Sequence, residues 1–491
     1  MALKDQTISA VLWSIFGAAG VQGFGLFFSL WLANLIDPIV FGLFAIPNIF
    51  ARFAKDAIDV GLGAAIIQGD HISDRLLSTL FWLNMILASF LASVAFFGAP
   101  YFAAYTGAET EIVYMLIAPV FIVVGATLTQ KAILQKELNF RKISIAEFTS
   151  TVAGSLVAIY MAYQSPDVYA LVARLAVVTG VTSIVYWLSS SWRPKWVWES
   201  KGLKSILHFS LPVFGTNTLA FGAKYFDELL FPKFLSTGLL GVYAKSRDFV
   251  NLPVGVIRDQ LGRVLFPAFA MIKDDASRMA DVYGKAIGAA GVFGLVPISL
   301  ILLLAPEVIP LFLNEKWLPM IPIAQAMALM LAPSFLVFFS PVLLAQGKSK
   351  LNFNVRLITL LIRVLAIFFG LYLAGLNGLL LGLILYGWLT HLIYIYIIAK
   401  SLEKHTFWHL RLEMPSLVIH ITCLSVAWLI STYVLSGYSL FVIMLTKALF
   451  FGATFIFMLF AFKPRGFMVG LRLAKEYHYK FGPLGKFINR L

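Results

Sequence analysis

The sequence has a single cysteine and few charged residues, and both shortages narrow what the protein can be. Cys423 has no second cysteine to pair with, so the chain forms no internal disulfide. Asp, Glu, Lys and Arg make up only 13% of the residues, whereas hydrophobic residues make up 60%. Because a soluble globular chain carries about 25% charged residues, this composition predicts a polytopic membrane protein.

The sequence also lacks the motifs of common enzyme classes. None of the seven histidines forms an HExxH motif, and no GxxxxGK[ST] phosphate-binding loop is present. We therefore expect a transporter rather than an enzyme or an ATP-driven pump. No cofactor is expected, and coupling to a proton or a sodium ion stays open. His391 and His420 lie in apolar spans, where a buried structural role is favoured over a proton-linked one.

Long apolar runs fill most of the chain. Runs of about 18 residues or more are long enough to cross a bilayer as helices. By this criterion the sequence predicts an all-α polytopic protein with about fourteen transmembrane helices. The predicted spans are residues 9–34, 38–66, 75–98, 112–136, 142–163, 166–190, 203–232, 235–268, 283–304, 321–346, 353–374, 377–400, 414–436 and 438–462.

Lysine and arginine concentrate in the loops after even-numbered spans. Since such residues mark cytoplasmic loops, both termini are predicted to be cytoplasmic. The same distribution accounts for most of the net charge of +14, so no nucleic-acid partner is expected. The basic tail, residues 463–491, is expected to lie against anionic lipid headgroups or to be partly disordered.

An internal duplication divides the chain. Residues 32–46 align with residues 231–245, which places Gly42 on Gly241, and ILQKELNF aligns further on with LAQGKSKLNF. The two matches occur in the same order, as expected for repeated transporter halves. Because each repeat holds an even number of spans, the two lobes have the same orientation in the membrane, and a twofold axis follows the membrane normal. The predicted parts are an N-lobe at residues 1–200, a C-lobe at residues 201–400, two additional spans at residues 401–462 and the tail.

Charged residues occur inside the second predicted span. Arg52, Lys55, Asp56 and Asp59 share one helix face at 100° per residue. Each charge near a helix centre costs roughly 2.5 to 3.5 kcal/mol on insertion, so this face does not meet lipid. Pairing of Arg52 with Asp56 and of Lys55 with Asp59 is one explanation. Binding of a phosphate anion by the two cations is the explanation we favour.

The seventh and eighth spans carry charges at corresponding positions. We expect these residues to line, with the second span, a polar cavity walled by spans 1, 2, 7 and 8 between the two lobes. The cations predicted to bind an anionic substrate are Arg52, Lys55, Lys224, Lys245, Arg247 and Arg258. The carboxylates predicted to pair with them or to carry coupling protons are Asp56, Asp59, Asp227 and Glu228.

Several segments resemble a known family. They are, in order along the first two thirds of the chain, DVGLGAAIIQ, STLFWLN, ILQKELNFRK, NLPVGVI, RVLFPAF and NEKWLP. As a set they resemble the polysaccharide transporter family, the Wzx-type lipid-linked oligosaccharide flippases of the MOP exporter superfamily. The similarity is greatest to the exopolysaccharide or colanic-acid exporter branch.

The resemblance implies a MATE-like fold with two six-helix lobes, two extra C-terminal helices and alternating access around a cationic cavity. It also implies the substrate, an oligosaccharide repeat unit on undecaprenyl pyrophosphate. The chain would move this substrate across the bacterial inner membrane for exopolysaccharide, lipopolysaccharide or O-antigen synthesis. Implied partners are membrane lipids, a polysaccharide polymerase and export machinery.

Two alternatives stay open. One is a cation-coupled multidrug exporter of the same superfamily, whose pocket should be rich in carboxylates. The other is a membrane polysaccharide polymerase or ligase, a class that places catalytic groups in a large periplasmic loop. The Arg and Lys residues in the predicted spans count against the drug exporter. The short predicted outward loops count against the polymerase or ligase.

Overall fold

The chain folds into helices joined by turns. The computed structural model describes residues 20–60, 62–63, 66, 73–200, 203–434, 437–468 and 471, and no strand occurs among them. The helices are α1 (Gly20–Leu35), α2 (Pro38–Asp59), α3 (Asp74–Thr106), α4 (Glu111–Lys136), α5 (Phe140–Gln164), α6 (Val168–Ser189), α7 (Leu203–Leu230), α8 (Thr237–Ala270), α9 (Ala276–Phe312), α10 (Met320–Leu331), α11 (Phe339–Ala345), α12 (Ser349–Ser401), α13 (Thr406–Val434) and α14 (Leu440–Phe462).

Each predicted span coincides with helical structure in the described part of the chain. Ten segments there are long and apolar enough to cross a membrane, so the protein is a multi-pass membrane protein. The long helices α7 and α8 fall outside this set. They correspond to the seventh and eighth predicted spans and carry the charges predicted there. Fourteen crossings therefore stay a prediction.

Three predicted spans differ in form from a simple helix. The tenth is divided into α10 and α11 by a 3-10 turn at Ala332–Phe335. The eleventh and twelfth form the single element α12, whose backbone leaves the helical region at Ala374 and Gly375. Gly375 has a φ of 54°, which glycine adopts at no steric cost. A Cβ at Gly370 would overlap the carbonyl oxygen of Gly378, so the two halves of α12 pack against each other as a hairpin.

The chain divides into two compact units, residues 1–245 and residues 246–491. The boundary lies inside α8. The predicted lobes, with a boundary at residue 200, stay a prediction.

The core of the first unit rests on small residues. Ala88, Ala92, Ala95 and Ala99 form a buried stripe along α3 and pack against apolar residues of α4. A Cβ at Gly125 of α4 would overlap that of Ala88, so the two helices approach closely. Small residues at a helix contact allow the van der Waals packing that holds helices together in lipid.

A second close approach in this unit joins α2 to the start of α8. A Cβ at Gly42 would overlap the carbonyl oxygen of Thr237, and one at Gly241 would overlap that of Pro38. Gly42 and Gly241 are the two residues that the duplication aligns. Glycine is required at both because the backbones themselves are in contact.

The core of the second unit includes aromatic residues from several helices. A buried cluster joins Phe269 of α8, Tyr283 and Ile287 of α9, Val342 of α11 and Ile398 of α12. It holds together the helices that surround the second charged cavity described below.

Candidate functional site

The charged face of α2 meets α7 at a buried tyrosine in the first unit. Arg52 donates a hydrogen bond from Nη1 to the hydroxyl of Tyr225 at 3.2 Å. The ammonium of Lys224 lies 5.3 Å from the centre of the Tyr225 ring. Tyr225 is 3% exposed, whereas Arg52 and Lys224 are both exposed. Two of the predicted cations, one from each helix, therefore lie together and are accessible.

Lys55, one turn further along α2, lines a separate cavity of about 260 Å³ in the same unit. Lys131 of α4 and Glu147 of α5 line it as well, and their side chains lie 3.5 Å apart. Tyr186 donates a hydrogen bond to Glu147 at 3.4 Å. The remaining polar lining consists of the hydroxyl groups of Thr127, Ser150, Thr151, Thr179 and Thr182. Two cations and one carboxylate give this cavity a net positive charge.

The predicted pairing of Lys55 with Asp59 is not found. Asp59 accepts a hydrogen bond from the backbone N–H of Gly63 at 2.9 Å, at the point where α2 ends. Within the described residues, no ion pair joins its carboxylate to Lys55. This hydrogen bond to a backbone group beyond the helix competes with the i,i+4 contact, because one carboxylate cannot point both ways along the helix.

Two further predicted residues tie helices together. Asp227 of α7 is buried and accepts a hydrogen bond from the hydroxyl of Tyr243 of α8 at 3.0 Å. Lys245 of α8 is buried, and its ammonium donates to the carbonyl oxygen of Ser29 of α1 at 2.7 Å. It also lies 4.6 Å from the ring centre of Phe41. These contacts favour a positioning role for both residues. Glu228 is also buried, and Asp56 is exposed.

The second unit contains the other two predicted cations. Arg247 is buried and forms an ion pair with Asp248 at 3.1 Å. Arg258 lines a cavity of about 450 Å³ together with Arg356 and Arg363 of α12. Arg356 donates from Nη2 to the hydroxyl of Ser340 at 2.8 Å.

Aromatic and hydroxyl groups complete this arginine cavity. The guanidinium of Arg363 lies 5.6 Å from the ring centre of Tyr386, and Thr390 and Tyr394 add hydroxyl groups to the wall. His391 also lines the cavity, and its Nε2 lies 3.0 Å from a carboxylate oxygen of Glu413. Three guanidinium groups around one cavity suit an anion with several oxygens, because each offers a planar fork of donors.

Both histidines predicted to be buried are buried. His391 contacts Glu413, and the ring nitrogens of His420 lie 2.9 Å from the hydroxyl of Ser299 and 2.9 Å from the carbonyl oxygen of Val292. Both ring nitrogens of His420 are therefore within hydrogen-bond distance of a partner, as is Nε2 of His391.

Sequence reasoning missed four side chains of the candidate site. Arg356 and Arg363 lie seven residues apart in the eleventh predicted span, so the face-sharing test applied to the second span would have found them. Lys131 lies near the end of the fourth predicted span, where a lysine is expected as a charge of the adjoining loop. Nothing in the sequence singles out Tyr225, because its role depends on where α7 meets α2.

An apolar cavity of about 590 Å³ also lies in the first unit. Ile49 and Phe53 of α2, Phe102 of α3 and Phe221 of α7 are among its lining residues. Phe53 follows Arg52 in the chain, and Phe221 lies one turn from Tyr225. The unit thus offers an apolar surface beside a cationic one.

Comparison with known proteins identifies the family. A family described as "Polysaccharide biosynthesis protein" matches residues 31–322, more than half of the chain. The chain belongs to this family. The resemblance found in the sequence segments is confirmed.

The chain is also similar to named members of the same group. It is 25% identical over 443 residues to the lipopolysaccharide biosynthesis protein WzxC of Escherichia coli (strain K12), covering 85% of this chain and 88% of WzxC. It is 27% identical over 311 residues to the teichuronic acid biosynthesis protein TuaB of Bacillus subtilis (strain 168), covering 61% and 63% of the two chains.

Solved structures show the fold. The structure of the lipid II flippase MurJ in an inward closed conformation matches 93% of this chain and 99% of its own, with a TM-score of 0.66 at 15% identity. An inward-facing multidrug resistance MATE transporter of the MOP superfamily matches 80% of this chain and 95% of its own, with a TM-score of 0.52 at 15% identity. The predicted MATE-like, all-α membrane fold is therefore confirmed.

Proposed function

We propose that this protein is a flippase for lipid-linked oligosaccharides. It moves undecaprenyl-pyrophosphate-linked repeat units from the cytoplasmic to the periplasmic leaflet of the bacterial inner membrane by alternating access. The exported units then serve surface polysaccharide synthesis, with a polymerase and the export machinery as downstream partners. Membership of a polysaccharide biosynthesis family supports this proposal.

The observation that carries the proposal is the set of cationic cavities inside a membrane-spanning fold. Charges inside such helices are costly and mark substrate or ion pathways. Arg52 and Lys224 lie together beside Tyr225, and Arg258 shares a cavity with Arg356 and Arg363. A diphosphate supplies the oxygens that such groups bind.

The apolar cavity of the first unit supports an amphipathic substrate. A polyprenyl chain attached to a diphosphate needs an apolar surface next to cationic groups. The apolar cavity has walls of Ile, Leu, Phe and Tyr side chains. Two of its lining residues, Ile49 and Phe53, lie within one helical turn of Arg52, so the cavity offers such a surface. Hydroxyl groups in the cavity that holds Lys55 suit the sugar part.

A drug exporter is the nearest alternative. Organic cations require carboxylates or aromatic cages, whereas the cavity of the second unit carries three arginines. A polymerase or ligase is less favoured because the described helices are joined on the predicted periplasmic side by turns.

Analysis of lipid-linked sugars in a deletion strain tests the proposal. Radiolabelled lipid-linked sugars would be extracted and separated by thin-layer chromatography, and surface polysaccharide would be measured in parallel. We expect complete repeat units to accumulate on the cytoplasmic side while surface polysaccharide disappears. Export of single units would indicate a polymerase instead, and an unchanged lipid-linked pool would favour the drug exporter.

A further inference from the structure

A third charged cavity lies in the second unit, away from the residues assigned to the substrate. Its volume is about 530 Å³, and it is formed by the start of α9, the start of α13 and the segment that follows α14. Its charged lining residues are Asp281, Lys285, Lys404, Lys463 and Arg465. Its apolar lining includes Trp408, Leu412 and Met468.

Among the described residues, most of the positive charge of this cavity has no ion-pair partner. Asp281 pairs with Lys285 at 2.6 Å. In the part of the chain that the structure describes, no hydrogen bond or ion pair engages the side chains of Lys404, Lys463 or Arg465. All three are exposed. The cavity therefore presents three cations to which the described residues supply no counter-charge.

Backbone packing fixes two of these cations in place. The segment after α14 lies directly on α9, since a Cβ at Gly466 would overlap the backbone of Gly288 and Ala289. Lys463 ends α14 in the left-handed conformation, with a φ of 42°. Lys463 and Arg465 are thus held at the cavity by a fixed turn and a close helix contact.

The position of the cavity points to the membrane surface. The starts of α9 and α13 and the end of α14 are the helix ends that the lysine and arginine distribution assigns to the cytoplasm. Trp408 lies at one of these ends, and tryptophan favours the headgroup level of the bilayer. Leu412 and Met468 provide an apolar wall that a soluble anion would leave unused.

We propose that this cavity binds the headgroup of an anionic phospholipid from the cytoplasmic leaflet. The phosphates contact Lys404, Lys463 and Arg465, and the acyl chains lie along Trp408 and Leu412. Because three cations are available, a lipid with two phosphates binds more tightly than one with a single phosphate. Basic pockets between helices on the cytoplasmic side suit such headgroups. The inference does not depend on the identity of the transported substrate.

Native mass spectrometry of the purified full chain tests this inference. The protein would be titrated with cardiolipin, phosphatidylglycerol and phosphatidylcholine, and the bound lipid counted. We expect tightest binding of cardiolipin and weakest of phosphatidylcholine. The double variant Lys463→Ala, Arg465→Ala should bind cardiolipin about 25-fold more weakly, about fivefold for each cation removed.

The matched control is Lys273→Ala, Lys350→Ala, which removes the same charge on the predicted cytoplasmic side but outside the cavity. This control should bind cardiolipin as tightly as the unmodified chain does. In phosphatidylcholine, both double variants should have the same melting temperature as the unmodified chain. Lys404→Gln provides a second variant should the first not fold. Equal loss in control and cavity variants would overturn the proposal, as would equal binding of all three lipids. Displacement of cardiolipin by equimolar inorganic phosphate would show a soluble-anion site instead.

Discussion

Arg52 is the residue on which most of the account depends at the scale of single side chains. Its guanidinium is exposed yet oriented, because Nη1 is bonded to the buried Tyr225. A guanidinium carries five N–H donors in a planar fork, a geometry that matches phosphate oxygens. Lys224 adds a point charge on the same side.

Replacing Arg52 separates binding from structure. Since loss of a charge eases membrane insertion, Arg52→Ala should leave protein levels near normal while surface polysaccharide disappears and lipid-linked units accumulate. Arg52→Lys should keep part of the export, because the charge remains and only the fork is lost. Immunoblots of membranes and assays of surface polysaccharide measure the two effects.

The control for this prediction is the double variant Arg52→Ala, Asp56→Ala. If the two residues served only as an ion pair with each other, removing both would restore abundance and export together. Recovered export in the double variant would refute a binding role for Arg52.

A buried ion pair joins two elements of the second unit. Lys447 of α14 and Glu307 of α9 lie 2.7 Å apart, and both side chains are less than a tenth exposed. This pair is absent from our sequence predictions, because the two residues are 140 positions apart and each lies alone in an apolar run. It helps to hold one of the two additional C-terminal helices against α9.

Removing one partner should destabilise the protein. Lys447→Ala leaves Glu307 charged and buried, and should lower the free energy of unfolding by about 3 to 5 kcal/mol. The double variant Lys447→Met, Glu307→Met should recover most of this loss, since a buried pair can be replaced by apolar residues. Thermal melting of the purified variants in detergent measures the loss and its recovery. A Lys447→Ala variant as stable as the unmodified chain would contradict a stabilising role for the ion pair.

The contact between α2 and α8 gives a second prediction at the scale of elements. Gly42→Ala or Gly241→Ala would force a methyl group into a backbone carbonyl, and each should destabilise the first unit by about 3 kcal/mol or more. Gly222→Ala in α7 is the matched control, because no atom lies within 4 Å of a Cβ built there. Loss of folded protein in both glycine variants but not in the control is the expected outcome, read by size-exclusion chromatography. If all three variants behaved alike, α2 and α8 would not be in backbone contact.

At the scale of elements the sequence was informative because hydrophobic length and charge placement are local signals. The spans were predictable from apolar runs, and the charged stripe of α2 from a 100° period. Two features were not predictable because they depend on how distant helices pack. One is the break between α10 and α11, and the other is the cavity that Lys55 shares with Lys131. Arg356 and Arg363 lie seven residues apart, so the same period places them on one face of the eleventh span.

At the scale of the whole molecule, the similarity to MurJ and to MATE structures establishes the fold but not the cargo. The cargo that we propose rests on the charges: cavities with a net positive charge favour a diphosphate, and the apolar cavity beside Arg52 favours a long lipid chain. The glycan itself leaves no comparable signature, because many hydroxyl-bearing side chains can bind sugars.

The central claim is most directly tested by measuring lipid translocation with the purified chain. Lipid-linked oligosaccharide extracted from the deletion strain would be reconstituted into liposomes, and an impermeant glycosidase added outside would cleave only the outer-leaflet share. We predict that the unmodified chain exposes the inner-leaflet share to cleavage, whereas the Arg52→Ala protein does not. Cleavage that stays confined to the outer leaflet in the presence of the folded, unmodified chain would contradict the account.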